Sequence, residues 1–145
     1  MKKKFIYPRL FLFFLVVALT SSCGKKAPAP EETKDLVFMV NLVNDEQKVK
    51  EYLAYHQKVW PEVEAGFRKA GYKKINIYRF NRSLVMIVTI PKNADINKMG
   101  QLAEAYDKKC KEWNQRMDPY QVGVAGTSKG QKWVKTELLY SFHNQ

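Results

Sequence analysis

Histidine and cysteine are scarce in this chain, and each scarcity narrows its chemistry. The 145 residues include only two histidines and two cysteines. Neither cysteine has a ligand companion at zinc-site spacing, so a zinc centre is not expected. Basic runs are missing after the first residues. The formal charge is +11, but Lys2, Lys3, Lys4 and Arg9 lie in a segment without acids, and residues 23–145 keep 21 basic and 14 acidic side chains. Those lysines are scattered among acids, a pattern of a solvated mixed-sign surface rather than a nucleic-acid footprint. Internal repeats are absent. The longest apolar run, LFLFFLVVAL at 10–19, reaches about 15 Å as a helix against a hydrocarbon core of roughly 30 Å, so it does not span a bilayer.

What is present is a core. The chain is 46% hydrophobic and 13% aromatic, enough for one folded domain. The basic MKKKFIYPR and the apolar run read as the n- and h-regions of a signal peptide, residues 1–22. TSSC follows, and the whole resembles a bacterial lipoprotein signal in which Cys23 is the acylated residue. The competing reading is an ordinary secreted protein cut near Ser22. Multiple acyl chains make a stable anchor, each buried CH₂ contributing about 0.8 kcal/mol. Cys110 is then left without an intramolecular disulfide partner. GKKAPAPEETKD, with two prolines, makes residues 23–35 a flexible tether. The expectation is an exported cell-envelope lipoprotein held to the membrane by lipid alone.

Residues 36–145 form the domain. LVFMVNLV (36–43) reads as a strand. Asn44 and Asp45 offer cap oxygens for a helix running to about Gly71, which supplies a C-terminal stop. Val49, Tyr52, Leu53, His56 and Trp60 recur at spacings of three and four, one helical face, and Pro61 kinks or restarts the helix. KKINIYRF (73–80) and LVMIVTI (84–90) are strands around an NRS turn. A second helix is expected over about 95–117, with Met99, Leu102, Ala103, Tyr106, Cys110, Trp113 and Met117 facing inward. A long loop with three glycines leads to a last strand, WVKTELLYSF (133–142). The order βαββαβ predicts an α+β, ferredoxin-like fold: a four-stranded antiparallel sheet with two helices on one face. The other sheet face needs a cover, and a second copy closing a dimeric α+β barrel is the expected one.

EYLAYHQKVWPEVEAGF, residues 51–67, carries the chemistry. Tyr52 and His56 are four apart and stack along one helical face. An imidazole titrates near neutrality, a phenol can bond a hydroxyl, and aromatic faces suit the C–H side of a sugar. By spacing alone, a satisfied core histidine is the simpler reading. The longer string changes that. Glu51, Tyr52, His56, Trp60, Pro61 and Glu62, then Ile77 and Tyr78, the apolar strand 84–90, KEWNQRM and KGQKWVKTELLYSF resemble the L-rhamnose mutarotase family over about residues 37–143.

The resemblance implies a dimeric ferredoxin-like barrel that interconverts the α and β anomers of a free 6-deoxy-hexose such as L-fucose or L-rhamnose, without metal or other cofactor. By match, His56 is the acid/base residue, Tyr52 and Tyr78 contact sugar hydroxyls, and Trp113 walls the pocket. Glu137 falls on a matching position in the last strand. His56 would exchange the proton at the ring oxygen, while water, a tyrosine or Glu137 serves the anomeric hydroxyl. Ile75 and Asn114 replace aromatic residues of rhamnose-type members, and the KWV ending is closer to L-fucose-associated ones. The alternatives are a non-catalytic sugar-binding lipoprotein on the same scaffold, a haem-handling barrel with His56 as axial ligand, and a structural domain with every ring in its core.

Overall fold

The computed structural model describes residues 30–144. The signal segment, Cys23 and most of the tether lie outside them. β1 (Thr33–Leu42) begins three residues before the expected strand. Glu31 and Glu32, just ahead of it, pair with Lys73 at 2.6 Å and Lys92 at 2.7 Å.

The helix expected to kink or restart at Pro61 restarts there. α1 (Glu46–Gln57) starts at Asp45, whose carboxylate accepts the Lys48 amide at 3.0 Å. It stops before Trp60, which is extended (φ −65°, ψ 137°). The ring of a following proline disfavours helical backbone in the residue before it, and proline itself suits the first helical position. Pro61 therefore ends one helix and opens the next, α2 (Pro61–Ala70), which closes on Gly71 at φ 92°.

β2 (Lys74–Phe80) and β3 (Ser83–Pro91) form a hairpin around Asn81 and Arg82. Asn81 takes the positive φ (53°) that such a turn requires. The second expected helix is also split. α3 (Ile96–Ala105) is capped by Asp95, and α4 (Lys108–Met117) by Asp107, which is extended and accepts the Lys109 amide at 2.8 Å. An aspartate able to bond the backbone two residues on competes with helix continuation, so the break falls there. Gly66 lets α2 lie against α3: a Cβ on it would stand 2.7 Å from the Ala103 carbonyl oxygen.

The expected long loop holds a 3-10 turn, Asp118–Tyr120, and a short strand β4 (Gln121–Val122). Of the expected strand 133–142 only β5 (Val134–Lys135) is paired. β4 and β5 share the edge of β1 opposite β3: Val122 faces Asn41 and Val134 faces Met39. The sheet order is β2-β3-β1-β4, with β5 beside β4 along β1 and every pairing antiparallel. Five strands, two of them short, replace the expected four. With each broken helix counted once, the order is still βαββαβ, and the fold is α+β ferredoxin-like.

The helices cover one sheet face. Alternation sends Val40, Leu42, Leu84, Val88 and Ile90 toward them, each at most 2% exposed. Each such side chain contributes about 1.5–3 kcal/mol by burial. The core has two clusters. One holds Val40, Leu42, Leu84, Tyr52, Val63, Trp113 and Met117; the other holds Val88, Ile90 and Met99.

Candidate active site

The first cluster gathers three of the candidate site residues, Tyr52, His56 and Trp113. Tyr52 is 2% exposed and its ring stacks on His56, centroids 4.1 Å apart. The His56 ring Nδ1 lies 2.9 Å from the Tyr52 backbone oxygen. A carbonyl only accepts, so Nδ1 carries the proton and donates it. The neutral ring then holds its lone pair on Nε2, the arrangement a general base needs. Trp113, 6% exposed, meets the imidazole edge-on at 5.5 Å. His56 is half-buried between these two rings. Desolvation pushes its pKa below the ordinary 6.5, the bond to the Tyr52 carbonyl partly opposing this. Its place in the last turn of α1 also favours the cation, but burial outweighs that pull. The imidazole is neutral at pH 7.

Burial likewise raises the Tyr52 hydroxyl above 10, so it stays protonated. Gln121 Nε2 donates to it at 3.4 Å, and the Tyr120 hydroxyl donates to Glu51 Oε2 at 3.1 Å. Beneath the rings lie Val40, Leu42 and Leu84, with Trp133 packed alongside. The structure thus gathers Tyr52, His56 and Trp113. It adds Glu51, Tyr55, Tyr120, Gln121 and Trp133, whose place in the site the sequence reading did not assign. Tyr120 and Gln121 were hidden because a 3-10 turn and a two-residue strand leave no periodicity to read.

Two expected residues lie elsewhere. Tyr78 faces Val85 across the hairpin, on the sheet face away from the helices, and is 55% exposed. Its hydroxyl accepts a bond from Asn76 at 3.2 Å. An odd register step along β2 puts it opposite His56 rather than beside it. Glu137 is exposed in the segment beyond β5. The two replaced aromatic positions also avoid the imidazole. Ile75 packs on the second cluster, and Asn114 donates to Glu104 at 2.9 Å.

Neither of the two best-formed hollows among the described residues is lined by His56. One, about 120 Å³, lies between α2, α3 and α4 beside Phe67, Ala103 and Cys110. The other is a broad recess of about 360 Å³ on α1, lined by Glu51, Ala54, Tyr55 and Lys58. Glu51 and Tyr55 reach from that recess to Tyr120 and Trp113.

Known proteins resemble this chain in sequence and in fold. Residues 36–142 match the L-rhamnose mutarotase family. An L-fucose mutarotase of Xanthomonas campestris pv. campestris is 29% identical over 109 residues, covering 73% of this chain and 86% of its own. A UPF0734 protein of Dictyostelium discoideum is 28% identical over 110 residues, 74% of this chain and 88% of its own. A dimeric ferredoxin-like protein from an uncultured marine organism superposes with a TM-score of 0.50 at 13% identity, over 79% of this chain and 95% of that one. The family match and the L-fucose mutarotase relative imply an enzyme of the carbohydrate-isomerase type. Within that class, the chain belongs to the L-rhamnose mutarotase family.

Proposed function

We propose that the protein interconverts the α and β anomers of a free 6-deoxy-hexose, L-fucose or L-rhamnose, with His56 as the acid/base residue. The observation that carries this is the neutral imidazole held between Tyr52 and Trp113, its Nε2 lone pair left free by the bond from Nδ1 to the Tyr52 carbonyl. Ring opening needs a proton at the ring oxygen and the loss of one from the anomeric hydroxyl. After rotation about C1–C2, closure reverses both transfers. In opening, the neutral Nε2 takes the proton of the anomeric hydroxyl while water supplies one to the ring oxygen; in closure the imidazolium returns its proton to the anomeric oxygen and water takes the other. A positioned acid/base group of this kind accelerates proton transfer by about 10² to 10⁴-fold. The protonated Tyr52 phenol offers a hydrogen bond, and Trp113 an apolar face.

The working form is a homodimer. Val37, Met39, Val85 and Ile87 form an apolar centre on the sheet face that bears no helix. Polar pairs rim it: Ser83 donates to Asn41 at 2.8 Å and Thr89 to Asp35 at 2.6 Å. An apolar patch with a polar rim marks an association surface. Val85→Asp should convert the dimer to a monomer in sedimentation, and an unchanged mass would refute this assignment. The leader and Cys23 support export and acylation, which radiolabelled palmitate incorporation lost in Cys23→Ser would report.

A second reading is sugar binding without chemistry, in which the rings of Tyr52 and Trp113 supply the contacts and His56 transfers no proton. Saturation-transfer NMR on L-fucose, L-rhamnose and galactose separates the two. Accelerated exchange that His56→Ala abolishes supports the proposal; binding with no exchange leaves the second reading.

A further inference from the structure

The aromatic wall of the site is itself held by charge. Trp113 touches His56 on one side and Trp60 on another, centroids 5.3 Å apart. Trp60 sits in the extended break between α1 and α2; its carbonyl accepts the Val63 and Glu64 amides at 3.0 and 3.3 Å, and its side chain makes no cap bond. α4 supplies the restraint. Lys109 Nζ lies 5.0 Å from the Trp60 ring and Arg116 Cζ 5.5 Å. Arg116 also lies 5.7 Å from the Tyr55 ring and donates to its hydroxyl at 3.1 Å. Tyr55 in turn meets Trp113 edge-on at 6.3 Å. Glu112 joins the two cations, at 3.2 Å to Lys109 and 3.3 Å to Arg116.

Lys109, Glu112, Trp113 and Arg116 fall at helical spacings of three and four, so one stretch of α4 presents the wall and its restraint together. Cations over indole and phenol faces are attracted by the ring quadrupole. Bonds to both cations hold the Glu112 carboxyl below its usual range, that to Lys109 first. The shared carboxylate keeps both cations on that side of α4.

We infer that Lys109, Glu112 and Arg116 form an electrostatic clamp that positions Trp60 and Tyr55, and through them Trp113 against His56, so that Arg116 is a positioning residue for anomer exchange. This rests on the reading of His56 as acid/base. None of the three touches the imidazole. Their effect falls on its orientation, and hence on kcat more than on KM.

The test measures anomer exchange by saturation transfer, with tryptophan fluorescence, in wild-type protein and in R116M, K109M, E112Q and R116K. Methionine keeps much of the stem that covers the rings and removes the charge. R116M should lower kcat about threefold to thirtyfold, the size expected for losing one or two exposed cation–ring contacts, with KM held within about twofold. It should also shift indole emission. K109M and E112Q should act in the same direction with smaller size, and R116K should restore part of the loss because the cation returns without its planar fork. A shifted emission with unchanged kcat would leave the clamp structural only and overturn the inference. So would a loss of kcat that R116K does not relieve. No exchange by the wild-type chain with any aldose would overturn the acid/base reading beneath it, a result distinct from normal exchange in both wild type and R116M, which sinks the clamp alone.

Discussion

The two ends of the helix-covered sheet face are built on one plan and filled differently. At the end of Leu42 and Leu84 the helices contribute Tyr52, Tyr55, His56, Trp60 and Trp113. At the end of Val88 and Ile90 they contribute Met99, Ile96 and Ala70, and no ring nitrogen. Both ends exclude water well enough to bury their strand residues almost completely. Each end holds a desolvated titratable side chain, the Tyr72 phenol at the second, but the imidazole with one nitrogen tied lies at the first. Burial is common to both ends; a hydrogen-bonded imidazole between polarisable rings belongs to the first.

Exchanging the roles of the two ends is the sharpest way to break that contrast. His56→Asn should cost about 10² to 10⁴-fold in anomer exchange while leaving the urea midpoint close to wild type. A retained rate would erase the distinction between the clusters. Ile90→Ala should do the converse. Ile90 is fully buried, and its truncation should cost about 2–5 kcal/mol of unfolding free energy, with the exchange rate per folded molecule kept. Between these lies Asp107→Ala. It removes the cap of the helix that carries Trp113 and should cost about 1 kcal/mol in chemical denaturation, with a modest fall in kcat.

The smallest effect is set by pH. The folded imidazole titrates below 6.5 because burial disfavours its cation. Exchange that depends on neutral Nε2 should therefore hold at pH 7 and fall on acidification with a midpoint under 6.5. Stability follows the same sign. As pH drops below 6.5 the unfolded chain takes up its proton first, so stability declines until the folded value is passed and then levels. The aromatic end supplies this slope, and His56→Asn should flatten it. A rate midpoint above 6.5 would contradict the desolvated setting.

Much of this was legible in the chain. Three strands, the hairpin turn, Asp45 as a cap and Gly71 as a stop follow from local chemistry and periodicity, because each depends on neighbours within a few residues. Tyr52 and His56 announce their pairing through a spacing of four. Where the reading departed from the structure, competing local bonds or tertiary register decided the outcome. Asp107 divides a helix whose apolar rhythm runs straight through the break, whereas the break at Pro61 was legible from the proline itself. Residues 133–142 alternate like a strand, yet bonding to β1 ends with Thr136, whose amide donates to the Val37 carbonyl at 2.8 Å, and Leu138, Leu139, Tyr140 and Phe142 are left exposed. Tyr78 was separated from His56 by strand parity, which shows which side chains share a face but not which face the helices will cover.

The stretch from Gly123 to Trp133 departs from and returns to the same strand edge, anchored at Asn41 on one side and Met39 on the other. Its two feet are set by the sheet whatever its contents. Lengthening such a closed excursion is inexpensive, about 0.6 kcal/mol for each doubling. It also delivers an indole, Trp133, beside the imidazole's neighbours. Insertion and replacement can therefore accumulate in this excursion and alter the surroundings of Tyr52 and Trp113, while the strands and helices that hold His56 remain as they are.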